Sequence, residues 1–320
     1  MLQTKALYNL LRLNAAEDPS ITAEPWALED LRLLPLDELF TRLEKYNVQL
    51  DRTTFHRFAI DCETPEELAD LLLPDSVSDP ERDPFYLLIF ELWRRLLSEK
   101  QSLSIFCDEL DHRIALFDQG LDESDELVQD ALANLLEVLD ENADAGADPE
   151  EVFTAICDYC AHDLESFLYD YIAELLDAGN SLYASELIEG FSPYITDPLW
   201  FDFLKARLLS FTDLGDANLA LHRLLESELD LPLIFEMIHF LAANGEYELF
   251  ALAVKKSLPH LSTNEELIDL LLLVNEFYHR LHEESKVEAI QKIIHRRKEC
   301  ADALSQSDPD LRHLYDLIEN

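Results

Sequence analysis

The sequence predicts an all-α fold, and three observations carry that prediction. Apolar residues recur at three- and four-residue intervals along nearly every segment. Helix-start signals recur as well. Thr64-Pro65-Glu66-Glu67, Asp148-Pro149-Glu150-Glu151 and Thr263-Asn264-Glu265-Glu266 each place a capping oxygen three residues before a glutamate, and two of them put proline at the first helical position. All six glycines (Gly120, Gly146, Gly179, Gly190, Gly215, Gly245) fall where a helical pattern ends, the place where a residue tolerant of the left-handed conformation is wanted. No Val/Ile/Thr-rich alternating run of strand length stands out.

Residues 1–120 read as an irregular α-helical N-terminal region, with a candidate hinge at Val77 to Pro84, which has two Asp-Pro steps and no apolar periodicity. Residues 121–320 read as acidic helices leading into regular repeats. From Asp125 to Asp140, Leu127, Ala131, Leu135 and Leu139 line one stripe, widened by Leu132 and Leu136. An acidic connection follows, from Asp140 to Asp148.

The repeats are helical hairpins. Leu175-Leu176-Asp177-Ala178-Gly179-Asn180 leads into Ser181-Leu182-Tyr183-Ala184. Asp213-Leu214-Gly215-Asp216 leads into Ala217-Asn218-Leu219-Ala220, Asn244-Gly245-Glu246 into Tyr247 to Ala251, and Glu284-Ser285 into Val287 and Ala289. Residues 165–300 resemble the tetratricopeptide and related α-solenoid repeat families. The resemblance rests on the turn glycines five positions before Ala184 and Ala220, and on Leu168, Leu204, Ile234, Leu175, Phe211 and Leu241 of the first helices. It departs from the tetratricopeptide pattern at Ile172, Leu208 and Ile238, where a small residue is expected, and in spacing, which varies between 30 and 36 residues here against 34 in the family. The resemblance implies helical hairpins stacked as an α-solenoid. It does not carry the family's peptide-binding residues across.

Charge narrows the function. Between Arg113 and Lys205 there is no lysine or arginine, while 23 aspartates and glutamates occur, and the whole chain carries −43. Such a surface repels nucleic-acid backbones and anionic lipids and attracts basic protein faces. Five scattered cysteines (Cys62, Cys107, Cys157, Cys160, Cys300) suit reduced thiols in a cytoplasmic protein. The apolar run Leu270 to Val274 is too short to span a bilayer, and the N-terminus lacks a signal peptide's apolar stretch.

Motifs for chemistry are incomplete. Asp140, Asn142, Asp144, Asp148 and Glu151 stand at positions 1, 3, 5, 9 and 12 of a calcium-loop spacing, but Ala145 occupies position 6, where glycine supplies the sharp turn. Asp148 and Pro149 equally begin a helix. Cys157, Cys160 and His162 lack a second ligand pair for zinc, and Ala161 breaks a haem-attachment order. Glu109/His112, Glu236/His239 and Glu276/His279 have the Glu-x-x-His spacing of carboxylate metal helices, without the bundle that would bring them together. There is no Gly-Lys-Ser/Thr phosphate loop and no Gly-x-Ser-x-Gly elbow. Lys286, Lys292, Arg296, Arg297 and Lys298 collect at one helix, suited to its negative end or to an acidic face.

The expectation is therefore a non-enzymatic adaptor, scaffold or chaperone, without cofactor, whose acidic helical surface binds a basic protein, with no direct nucleic acid and no membrane. The alternatives are a nucleic-acid mimic that inhibits a DNA- or RNA-binding protein, and a calcium- or metal-binding protein.

Overall fold

The computed structural model describes residues 4–74, 77–120, 124–298, 304–305 and 308–319. Among the described residues the chain is helical throughout, without a strand, and it divides into two compact units, Met1–Leu168 and Tyr169–Asn320. The division falls some fifty residues beyond the change of character expected after residue 120. No helix among the described residues is long and apolar enough to cross a membrane.

Unit 1 contains α1 (Thr4–Glu17), α2 (Pro25–Leu28), α3 (Leu36–Leu43), α4 (Arg52–Ala59), α5 (Pro65–Leu72), α6 (Asp79–Leu96), α7 (Leu103–Asp118), α8 (Ser124–Asp144), α9 (Pro149–Cys157) and the first turns of α10 (Leu164–Asp177). The core sits around α6. Phe85, Ile89, Phe90, Leu92 and Trp93 are fully buried, and Leu39, Leu43, Phe55 and Leu68 from α3, α4 and α5 join them. Each such side chain contributes about 1.5–3 kcal/mol relative to exposure. The stretch Phe85 to Phe90 is buried on every side of α6, as suits the middle of a core, and α3 and α5 pack directly on this helix.

Three expectations change here. Of Val77 to Pro84, Ser78 caps α6 and Asp79 to Pro84 form its first turns, where Ser78 and Glu81 bond each other and proline is tolerated. Pro84 lies one turn further in. Gly215 is the second residue of α13 and so opens a helix, whereas Gly190 is the last residue but one of α11, Gly245 follows α14, and Gly120, Gly146 and Gly179 take positive φ at helix ends. On α8 the buried stripe is Val128, Ala131, Leu132, Leu135 and Leu139, and Leu127 is exposed. The predicted starts at Thr64, Asp148 and Thr263 are present, each side chain accepting from the backbone N–H three residues on.

Unit 2 continues α10 and adds α11 (Ser181–Phe191), α12 (Pro198–Ser210), α13 (Leu214–Glu226), α14 (Leu231–Asn244), α15 (Tyr247–Ser257), α16 (Asn264–Arg280), α17 (Glu284–Lys298) and α18 (Pro309–Glu319). Within it α12 packs on α13, α14 on α15 and α16 on α17, and neighbouring hairpins meet through α13–α15 and α14–α16. Ala184, Ala217 and Ala253 are fully buried, which lets the second helices approach closely. Phe250 and Phe277 stack with ring centroids 3.7 Å apart. The last helix, α18, lies against α15 and α17.

Candidate functional sites

One concavity in each unit brings functional side chains together. In unit 1, α1 presents Lys5, Asn9 and Arg12 at i, i+4 and i+7, and this polar stripe packs toward α7. There it meets Asp108 and Asp111, one turn apart. Asp108 is 2 % exposed. It pairs with Lys5 at 3.0 Å and Arg32 at 2.6 Å and accepts from Asn9 Nδ2 at 2.9 Å. Burial alone would raise its pKa. The ammonium and guanidinium outweigh that and hold the carboxyl well below the usual range. The chain of charges continues from Arg32 to Glu109 at 2.9 Å, from Glu109 to Arg94 at 3.1 Å, and through Glu91 to Arg95. Arg95 ends it by donating to the carbonyls of Leu31, Arg32 and Leu34.

Beside this network is a cleft of ≈ 440 Å³, lined among others by Arg12, Arg32, His112, Gln119 and His162. Asp111 forms part of its wall. Its carboxylate accepts from the backbone N–H groups of Ala161 at 2.9 Å and His162 at 3.1 Å, and faces His162 Nδ1 at 2.9 Å. His162 Nδ1 donates to this carboxylate, and Nε2 lies 3.9 Å from Asp118 Oδ2, so the ring stands between two carboxylates. The pair lies in the wall of the cleft. It also closes the turn before α10, and Asp108 and Asp111 are fully engaged with cations and main chain. His112, on the same cleft, has its pKa lowered by burial and then by Arg32.

The cysteines predicted as a pair lie behind this wall. Cys157 ends α9 and Cys160 follows in the turn beside Cys107 of α7, whose thiol donates to Ile156 O at 3.8 Å. Burial, then Glu165 and Asp163, push the Cys157 thiol up to about 12. Among the described residues no three His, Cys, Asp or Glu side chains are grouped to hold a metal ion. The calcium-type spacing is laid along a helix: Asp140, Asn142 and Asp144 belong to α8, Asn142 Nδ2 donates to Val138 O, and Asp148 caps α9 by accepting from Glu151 N. Of the Glu-x-x-His pairs, only Glu109/His112 enters a site. Glu236, His239, Glu276 and His279 are exposed on α14 and α16.

In unit 2 a groove of ≈ 670 Å³ runs between α13 and α15 and ends against the last residues of α18. Leu219 (58 % exposed) and Leu252 (38 %) stand in it, above Leu249 and Ala251. Glu246, Glu248, His222 and the Lys255–Glu319 pair form its polar edge.

Sequence reading missed the Lys5–Asn9–Arg12 stripe and the unit 2 groove. The first had a signal, three polar residues at helical spacing in an N-terminal helix. The second depends on which leucines the packing leaves outside. No protein-family model matches the chain, and no match was found among curated proteins or solved structures.

Proposed function

We propose that the protein is a non-enzymatic interaction protein, an adaptor, scaffold or chaperone in the cytoplasm, whose acidic helical faces receive a basic protein partner. The observation that carries this reading is the exposure of the carboxylates. Every described aspartate and glutamate from Asp118 to Asp202 is exposed except Glu165, which is half-buried. On α8 and α9 these include Asp130, Glu137, Asp140, Glu141, Asp144, Glu150 and Glu151, outside a continuous apolar stripe. A one-sign surface accelerates encounter with the opposite sign and rejects like-charged competitors. The stacked hairpins of unit 2 fit an α-solenoid of tetratricopeptide type, which belongs to the same proposal. Repeated hairpins that meet only their neighbours give an extended surface for proteins to bind.

Affinity capture from native lysate at low salt, eluted by a salt gradient, tests the reading. Captured basic proteins should leave as the screening length contracts from about 10 Å at 0.1 M to about 3 Å at 1 M ionic strength. A partner held equally at both ends of that gradient would contradict the electrostatic role.

A further inference from the structure

We propose that the α13–α15 groove is a docking site for one amphipathic helix of a partner protein, with basic residues flanking an apolar stripe. The inference goes beyond the acidic faces of α8 and α9, because the groove is apolar at its floor and belongs to unit 2 alone.

The argument starts from α18. This helix buries Leu311, Leu314 and Ile318, spaced i, i+3 and i+7, against α15 and α17. Its C-terminal end is fixed by Tyr247 Oη donating to Ile318 O at 2.6 Å, Tyr278 Oη donating to Leu317 O at 3.1 Å, and the Lys255–Glu319 ion pair. Its N-terminal end is fixed by Asp308 and Asp310 on Arg296 and Arg297. The row of second helices α13, α15 and α17 thus already accepts an amphipathic helix at one of its two furrows. The groove is the other furrow of that row, on the far side of α15, and Ile318 and Glu319 form its end wall, so the two seats are continuous.

The second furrow offers the same kind of contact. Leu219 on α13 and Leu252 on α15 are exposed in the groove, which Leu249 and Ala251 of α15 also line. Apolar side chains on two packed helices make a trough for the ridge of a third. Its edge selects the charge. Lys255 is already paired with Glu319, leaving Glu246 and Glu248, both exposed, as the edge's excess charge. An occupant with lysine or arginine beside its apolar stripe complements them, and α18 itself, with Asp310, Asp316 and Glu319, does not.

The test uses the full chain and a fluorescein-labelled peptide of residues 309–319 in which Asp310, Asp316 and Glu319 are replaced by lysine, held helical by a side-chain lactam. Anisotropy titration should show saturable binding. Leu219→Asp and Leu252→Asp should each weaken it at least roughly tenfold, as removal of an anchor in an apolar seat does. Leu182→Asp, at a 75 % exposed leucine of α11, should leave it unchanged. Unchanged thermal melts of the variants show that folding is intact. No binding, binding indifferent to both groove substitutions, equal binding of the unmodified acidic peptide, or a dimer of the chain that the groove substitutions dissolve would each overturn the proposal. None of these outcomes alters the salt-dependent capture that tests the acidic faces.

Discussion

Lys256 donates its ammonium to the backbone carbonyl of Ser227 at 2.7 Å, closing the C-terminal end of a helix to which it does not belong. It also reaches Leu225 O at 2.9 Å. The last carbonyls of any helix lack partners and carry partial negative charge, so a cation from a neighbouring helix satisfies both needs. The arrangement recurs. Arg280 of α16 donates to Gly245 O at 2.7 Å after α14, Arg207 of α12 to Ala173 O at 3.4 Å and to the Asp177 carboxylate at 2.5 Å in the last turns of α10, and Lys100 to the carbonyls of Ala59, Ile60 and Cys62 after α4. In a chain with 24 lysines and arginines against 67 acids, these cations bind helices together and so do not neutralise the acidic surface.

Lys256→Met should therefore destabilise the chain by about 1–3 kcal/mol, the cost of leaving partly buried acceptors unpaired. Lys298→Met, at an exposed position of α17, should stay within about 0.5 kcal/mol of the parent. Urea unfolding followed by circular dichroism compares them. Equal midpoints for the two variants would mean that water replaces the ammonium without loss.

Asp108→Asn tests the network in unit 1. Removing one member of a buried ion network leaves Lys5 without its carboxylate and Arg32 with Glu109 alone, which costs up to about 3–5 kcal/mol. Glu38→Gln, whose partner Arg42 also pairs with Glu29, should cost less than about 1 kcal/mol. Asp108 has a lowered folded pKa, so its stabilisation is present above the unfolded value near 3.8 and is lost as pH falls through the folded one. Acid unfolding of the Asp108→Asn variant should accordingly be shallower in that range.

His112 gives a second pH dependence in a separate window. Its folded pKa is lowered from 6.5 by burial and by Arg32, against the smaller opposing pull of Glu109, Asp108 and Asp30. Below about pH 6.5 the unfolded chain binds the proton and the folded chain resists it, so stability falls as pH drops from there toward the folded value. His112→Gln should flatten this part of the profile in urea midpoints measured between about pH 5 and pH 7. An unchanged slope would place the proton elsewhere.

The helical class was legible because its signals are local. Thr64, Asp148 and Thr263 cap helices by side chains three residues from their targets, and periodicity needs only one turn of context. What could not be read is set by distance in sequence. Asp108 and Arg32 meet across 76 residues, and His162 and Asp111 across 51. The reading of Glu109/His112 and Cys157/Cys160 as separate motifs missed that both border one wall, because the wall is built by α7 packing on α1 and α8. The hinge at Val77 to Pro84 failed for the opposite reason. Asp-Pro steps mark turns and helix starts alike, and here the core residues Phe85 to Trp93 pull the segment into a helix.

Two glycines separate conformational from steric need. Gly179 has φ +76° with open space where a Cβ would stand, so Gly179→Ala should cost about 1 kcal/mol through the left-handed backbone alone. Gly245 has an ordinary φ of −82°, but an added Cβ would lie 2.5 Å from Leu241 Cδ2 and 2.8 Å from Leu241 O. Gly245→Ala must displace backbone at the point where Arg280 closes α14, and should cost more. Reversed ranking in urea melts would sink this account.

The thiols make a prediction that reads burial directly. Only the thiolate is an effective nucleophile. A Cys157 pKa near 12, raised by burial first, against an ordinary 9.0 makes its thiolate about a thousandfold scarcer at neutral pH. Cys160 is raised by its hydrogen bond to Cys107 and by burial, and Cys62 by burial. Iodoacetamide should therefore modify these positions slowly in the native chain and rapidly in urea, as followed by peptide mass mapping. Cys107→Ala should accelerate labelling at Cys160 more than at Cys62, because it removes the partner thiol of one and leaves the surroundings of the other intact. Equal acceleration at both would indicate that the substitution loosens unit 1 as a whole, and that the Cys107–Cys160 contact does not itself suppress the thiolate.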